Sequence, residues 1–333
     1  MNRTPANATS SAPPNDPHPA PALEVLPRDL SAYRRGNTGV DYVHRFESGE
    51  PGPHVLINAL THGNEFCGMV AACHLLDTQV RPLRGTLTIS FANVAAYESF
   101  DSQEPFKSRQ IDHNLNRIWS TEWLEGSEDS VELRRARQLR PVVAAADHIL
   151  DIHSTSQDVL PFWVYPHFAR NAAVAMALPL PTVHLVMPKG LGSGCPLIQH
   201  GRHGQAESDA GAALVVECGQ HFLQASADRA IRVTQAFLTH FGLLSAPADG
   251  PASDRANSAE HRRFELLRTH VIAHEAFRFV RPLKGFESFA RGELIGHDGP
   301  GAIIAPCDDC TVFMPARMPI VGREGVYLTK PMA

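Results

Sequence analysis

The run His54-Val55-Leu56-Ile57-Asn58-Ala59 leads directly into Leu60-Thr61-His62-Gly63-Asn64-Glu65. A β-rich apolar run that stops at a polar loop reads as a buried strand, the kind found in a sheet covered by helices on both faces. The loop presents a His and a Glu three residues apart at that strand's end. A third ligand-type residue, His153, closes another such run, His148-Ile149-Leu150-Asp151-Ile152-His153. Two imidazoles and a carboxylate can hold a zinc ion and leave a coordination position for water, so a hydrolytic metal site is the leading expectation. A lone His-x-x-Glu says little in a chain with 18 histidines. Its placement at a strand end, beside a third candidate, carries the weight.

Strand-like and helix-like stretches alternate between Leu30 and Leu244. Phe66, Met69, Val70, Cys73 and Leu76 follow the spacing of one helix face, and Thr86-Leu87-Thr88-Ile89-Ser90-Phe91 is β-rich. Residues 128–146 read as a charged amphipathic helix that Pro141 should kink or restart. Strand-like runs return at 148–153, 182–186 and 212–216, and a closing helix over 225–241 stops at Gly242. This pattern predicts an α/β domain over 28–244, a mixed, mostly parallel sheet flanked by helices. Residues 245–260, rich in Ala, Pro, Asp and Ser, read as a linker. Short β-prone runs at 270–273, 292–296, 302–304 and 312–314 then predict a smaller C-terminal all-β domain over 261–333. Residues 1–27 are rich in Pro, Ala, Asn and Ser without an apolar signal core, and read as a disordered leader.

Bulk properties narrow the function classes. The net charge of -5 gives no general affinity for nucleic acid or anionic membrane, and no basic run is interleaved with aromatics. No segment approaches the roughly 18 uninterrupted apolar residues of a membrane span. Six scattered cysteines suit the reduced thiols of a cytoplasm. Cys307-Asp308-Asp309-Cys310 lacks the second pair of a structural zinc site and reads as a turn between strands. A homo-oligomer is compatible with the sequence.

Function is therefore sought at a site, and in an open α/β sheet sites gather at the carboxyl ends of strands. Glu217 ends Leu214-Val215-Val216, where an unpartnered carboxylate is costly. Beside a metal it suits a general base taking a proton from water, and its plain alternative is a strand-end cap. Residues 109–117, Arg109-Gln110-Ile111-Asp112-His113-Asn114-Leu115-Asn116-Arg117, are dense in anion-recognising groups. Arg117 with Asn116 can hold a substrate carboxylate, and Arg109 can stabilise the oxyanion formed when water attacks an amide. The alternative is a polar loop whose arginines pair within the chain. Asp151, two residues before His153, shares its strand face and suits a residue that orients a site side chain. His113, His148 and His184 read as structural or solvent-facing, and His221 follows Glu217 closely without an assignable role.

Together these motifs resemble the aspartoacylase and succinylglutamate desuccinylase family, a branch of the zinc carboxypeptidase-like hydrolases. The resemblance rests on His62-Gly63-Asn64-Glu65, residues 109–117, Asp151-Ile152-His153 and Val216-Glu217, and covers most of 40–245. Gly292-Glu293-Leu294-Ile295-Gly296 and Ala305-Pro306 look like the family's C-terminal β domain. It implies one zinc ion per chain on His62, Glu65 and His153, and Glu217 as catalytic base. It places Arg109 on the scissile carbonyl, with Asn116 and Arg117 on a carboxylate. A further family arginine before the catalytic Glu would correspond to Arg202, and a C-terminal tyrosine reaching the site to Tyr327, though neither spacing aligns closely. The expectation is a zinc-dependent deacylase acting on a small, carboxylate-bearing N-acyl amino acid or related amide. The alternatives are a metallocarboxypeptidase of short peptides and a non-catalytic binding protein.

Overall fold

The computed structural model describes residues 21–246 and 260–332. The expected linker lies almost wholly outside these residues, as do residues 1–20 of the expected leader. Where the leader reading continues, over 21–27, Val25 is buried, and the N–H groups of Glu24 and Val25 donate to Phe222 O. Leu23 and Val25 pack on the core, so core packing extends ahead of the boundary expected at residue 28.

Fourteen strands and six α-helices are described. The strands of the first part are β1 (Val43–Glu47), β2 (His54–Ala59), β3 (Thr86–Phe91), β4 (His148–Thr155), β5 (Phe162–Pro166), β6 (Val183–Met187) and β7 (Ala213–Gln220). They alternate with α1 (Phe66–Asp77), α2 (Val94–Glu98), α3 (Thr121–Glu125), α4 (Val131–Ala145), α5 (Ala169–Ala177) and α6 (Gln224–His240). The C-terminal region is all-β: β8 (Arg262–Val271), β9 (Arg278–Phe279), β10 (Ser288–Phe289), β11 (Leu294–Asp298), β12 (Gly301–Ile304), β13 (Cys310–Phe313) and β14 (Glu324–Met332).

One mixed sheet runs in the order β1-β3-β2-β4-β7-β5-β6-β8-β14-β13-β10. Its centre, β3-β2-β4-β7, is parallel, while β5 pairs antiparallel to β7. The C-terminal strands are joined to this sheet, because β8 pairs with β6 and β14 with β8. Strands β9, β11 and β12 form a separate small sheet over their own apolar cluster.

Period-two alternation explains why β2 is apolar throughout. Val55, Ile57 and Ala59 pack on one face with residues of α1 and α6, whereas Leu56 packs on the other with Leu133, Ala136 and Leu139 of α4. Helix α4 continues through Pro141 without a break, contrary to the expected kink or restart. Pro141 lies in the last turns, and buried Leu139 and Val143 anchor the helix on either side of it. The chain leaves β2 for α1 and β3 on one side, then crosses to β4 on the other. The crevice beyond the ends of β2 and β4 is a topological switch point. All six cysteines are free thiols. Among the described residues no helix is long and apolar enough to cross a membrane.

Candidate active site

The switch point collects the expected ligands. Leu60 adopts φ 57°, turning the chain off the sheet just before Thr61-His62. Only glycine fits at position 63, because a Cβ there would lie 2.3 Å from Ala96 C and 2.4 Å from Ser108 O. The Gly63 N–H donates to Arg109 O at 3.1 Å, tying the ligand loop to the Arg109 segment. Glu65 is the residue that precedes α1. On β4, His153 lies in register with Glu217 of β7, which sets those two side chains on neighbouring strands.

His62, Glu65 and His153 are all buried, and one donor atom from each lies within 4.8 Å of the others. His62 Nδ1 is 2.8 Å from Glu65 Oε1, and His153 Nδ1 is 2.9 Å from Glu65 Oε2. His153 Nε2 donates to Asp151 Oδ2 at 2.8 Å, which leaves Nδ1 to face the cluster. Asp151 is held in turn by Asn58 Nδ2 and Thr61 Oγ1, both donating to Oδ1. His62 Nε2 lies 2.9 Å from Asn114 Oδ1.

Burial alone would raise the Glu65 carboxyl, but His62 and His153 hold it well below the usual range. Burial pushes the His62 imidazole down to about 4, so it is neutral near pH 7 and fit to ligate. For His153 burial is outweighed by Asp151 and Glu65, which raise it. For Glu217 burial is offset only in part by the charges of His153 and Arg109. Burial pushes it up to about 8, and its Oε2 is a buried acceptor without a hydrogen-bond partner. The same cavity is lined by His62, His153, Glu217 and Arg109.

Residues 109–117 owe their shape to one carboxylate. Glu132, fully buried in α4, accepts from the N–H groups of Ile111 (2.7 Å), Asp112 (3.0 Å) and His113 (3.0 Å), and from Asn93 Nδ2. Arg109 donates to Glu65 Oε1 at 3.2 Å and lines the cavity. Asn116 Oδ1 accepts from Leu197 N at 3.0 Å, which orients its NH2 group as the remaining donor. Arg117 is already engaged: Nε donates to Glu324 Oε1 at 2.6 Å, Nη1 to Asn116 O, and Nη2 to Tyr327 Oη at 3.1 Å. The rest of its donor set stays available to a ligand. Burial would raise Glu324, but Arg117 draws it down to about 2.

Tyr327 lines the cavity. Arg202 does not, and this corrects the correspondence drawn from the sequence. It donates to Ala146 O and Asp147 Oδ1, just before β4 begins, whereas the site lies beyond that strand's other end. Six residues of strand separate Asp147 from His153, about 20 Å. His221, buried and neutral with its imidazole lowered to about 3 by burial, reaches Ser154 Oγ at 2.8 Å beside the ligand cluster. Three residues escaped the sequence reading. Glu132 looks like an ordinary helix charge, Asn114 like a loop amide, and Glu324 sits 207 residues from Arg117. The only local signal was the acid in Gly322-Arg323-Glu324-Gly325, ahead of a β-prone run that also carries Tyr327.

Residues 51–241 match the model of the succinylglutamate desuccinylase/aspartoacylase catalytic domain. Among curated proteins, the N-acyl-aromatic-L-amino acid amidohydrolase (carboxylate-forming) of Xenopus laevis is 32% identical over 118 residues, covering 33% of this chain and 36% of that protein. Its Homo sapiens namesake is 30% identical over 121 residues, with the same coverage of 33% and 36%. The match thus spans about a third of these relatives' length. Among solved structures, the succinylglutamate desuccinylase of Vibrio parahaemolyticus superposes with a TM-score of 0.66 at 17% identity, covering 88% of this chain and 87% of that one. At that identity the likeness shows the fold.

Proposed function

The chain belongs to the succinylglutamate desuccinylase/aspartoacylase family, and from that membership we propose that it is a zinc-dependent hydrolase cleaving the amide bond of a small, carboxylate-bearing N-acyl amino acid. One observation carries the proposal. The unpartnered Oε2 of buried Glu217 belongs to a side chain that opens on the same cavity as His62 and His153.

The donor set fits one zinc ion. His62, Glu65 and His153 offer two imidazoles and a carboxylate, mutually close and buried, with Asp151 fixing the outward nitrogen of His153. Zinc held there supplies a Lewis acid that acidifies water and polarises an amide carbonyl. Ionised by the nearby charge of a bound zinc, Glu217 would take the proton of the attacking water at Oε2 and pass it to the departing amine. The Arg109 guanidinium sits at the cavity wall, where the carbonyl oxygen gathers negative charge. Asn116 Nδ2 and the remaining N–H groups of Arg117 hold the substrate carboxylate, with Tyr327 Oη accepting from Nη2 and fixing the guanidinium.

Val164, Met187, Leu191, Pro196, Ile198, Val215 and Met314 form the rest of the wall. That apolar lining favours an uncharged substituent on the substrate, and the names of the curated relatives support an aromatic one. Purified protein, assayed with and without zinc on a panel of N-acyl amino acids and dipeptides, is expected to release free amino acid from the acylated set and to stop on chelation. Cleavage confined to unacylated dipeptides would replace this reading with a carboxypeptidase.

A further inference from the structure

The cavity at the ligand cluster measures about 30 Å³. That is room for one or two water molecules, against the roughly 300–1,000 Å³ of a small-ligand site. An N-acyl amino acid needs more space than this wall encloses. Met187 and Leu191 belong to the wall, and the same two residues line a second cavity, a solvent-open cleft of about 690 Å³. They are the shared partition.

The partition stands on a glycine-rich segment, Pro188-Lys189-Gly190-Leu191-Gly192-Ser193-Gly194. Leu191 is buried between Gly190 (φ 70°) and Gly192 (φ 75°), both in the left-handed region. Nothing lies within 4 Å of a Cβ placed on Gly192. The far end of the segment is fixed instead. A Cβ on Gly194 would lie 2.5 Å from Arg117 O, and the Cys195 N–H donates to that oxygen at 2.9 Å. Ser193 Oγ also donates to Glu324. Leu191 therefore hangs on a pliable stretch whose end is anchored beside the carboxylate-binding arginine.

Resting on the deacylase reading, we infer that the second cavity is the subsite for the side chain of the released amino acid, opened when Leu191 leaves the partition. The α-carbon that bears the carboxylate also bears the side chain. With the carboxylate at Arg117, that side chain faces the 190–194 segment rather than the acyl end at Arg109. Pro166, Phe168, Met187 and Leu191 give the subsite an apolar side, while Gln199, the glycine backbone and solvent-exposed Lys189 make the rest of it polar. An aromatic or branched aliphatic group packs on the apolar side.

Calorimetry on the zinc-loaded protein tests this with 2-benzyl-4-oxopentanoate, 2-methyl-4-oxopentanoate and the carboxymethyl analogue, in which a methylene replaces the amide N–H. The benzyl compound is expected to bind at least about tenfold tighter than either other one. Ala206 lines the second cavity, so Ala206→Trp should abolish that preference. Leu191→Ala should increase it. A preference absent from the wild type, unchanged in Ala206→Trp with a native circular dichroism spectrum, or reversed toward the carboxymethyl compound overturns the subsite. An unaltered ratio in Leu191→Ala overturns the gate. Failure of all three to bind would remove the deacylase reading itself.

Discussion

Glu324 Oε1 lies 2.6 Å from Arg117 Nε, bringing the first residue of β14 against the loop before α3. The C-terminal strands thereby furnish part of the active-site wall, since Tyr327 on the same strand meets Nη2 of the same guanidinium. An arginine with one carboxylate partner inside the protein is positioned before substrate arrives, and its remaining N–H groups are aimed rather than free to rotate.

That pairing has a pH signature. The Glu324 carboxyl is drawn down to about 2 by Arg117 from an ordinary value of 4.5. Its stabilisation is therefore complete above about pH 4.5 and lost as the pH falls toward about 2. Denaturant unfolding of wild type and Glu324→Gln should differ by on the order of 3 kcal/mol at pH 6, the gap closing below about pH 4.5. A gap that stays constant across this range would show that the charge on Glu324 contributes nothing.

Asp151 is expected to govern metal affinity without touching the metal. Its Oδ2 accepts a hydrogen bond from His153 Nε2, while Asn58 and Thr61 keep Oδ1 occupied. Asp151→Asn should weaken zinc binding by about 10–100-fold, measured by competition with a chromogenic chelator. Zinc affinity equal to wild type would show that His153 keeps its tautomer without the carboxylate.

Glu132 holds the loop of residues 109–117 through three backbone N–H groups at 2.7–3.0 Å. Glu132→Ala strands those donors in a buried place and should destabilise the fold by about 3–5 kcal/mol. Glu132→Gln keeps the shape but turns one accepting oxygen into an NH2 that faces two N–H donors, so the loop should shift, Arg117 with it, and KM should rise. Unchanged KM together with lowered stability would make Glu132 a purely structural anchor.

The sequence exposes the centre of this molecule better than its rim. Strands β2, β4 and β7 are buried on two faces, which leaves continuous apolar runs that stop at polar residues: His62 and Glu65 follow β2, while His153 and Glu217 lie inside β4 and β7, which run on to Thr155 and Gln220. Strand β5 is hidden because Phe162-Trp163-Val164-Tyr165 is short and sits between Pro161 and Pro166. Strand β8 begins eight residues before the run read as a strand at 270–273, since Arg262 and Arg263 mask its start. Arg202 shows the limit of spacing as a guide. Its nearness to Glu217 in the chain places it at the wrong end of β4. Contacts such as Arg117 with Glu324 have no periodicity to reveal them, because they depend on how β14 is paired with β8.

The sharpest division of labour is between His153 and Glu217, neighbours across β4 and β7. His153 turns Nδ1 toward Glu65, whereas Glu217 keeps Oε2 unpaired. His153→Ala removes one of three donors and should lose zinc, detected by metal analysis after dialysis. Glu217→Gln removes only the proton acceptor, so it should retain zinc while turnover falls by roughly a hundredfold or more. Because Glu217 is a buried carboxyl raised by desolvation, the neutral glutamine should also leave the fold at least as stable as the wild type. Equal zinc loss in the two variants would make Glu217 a ligand and leave the attacking water without its base.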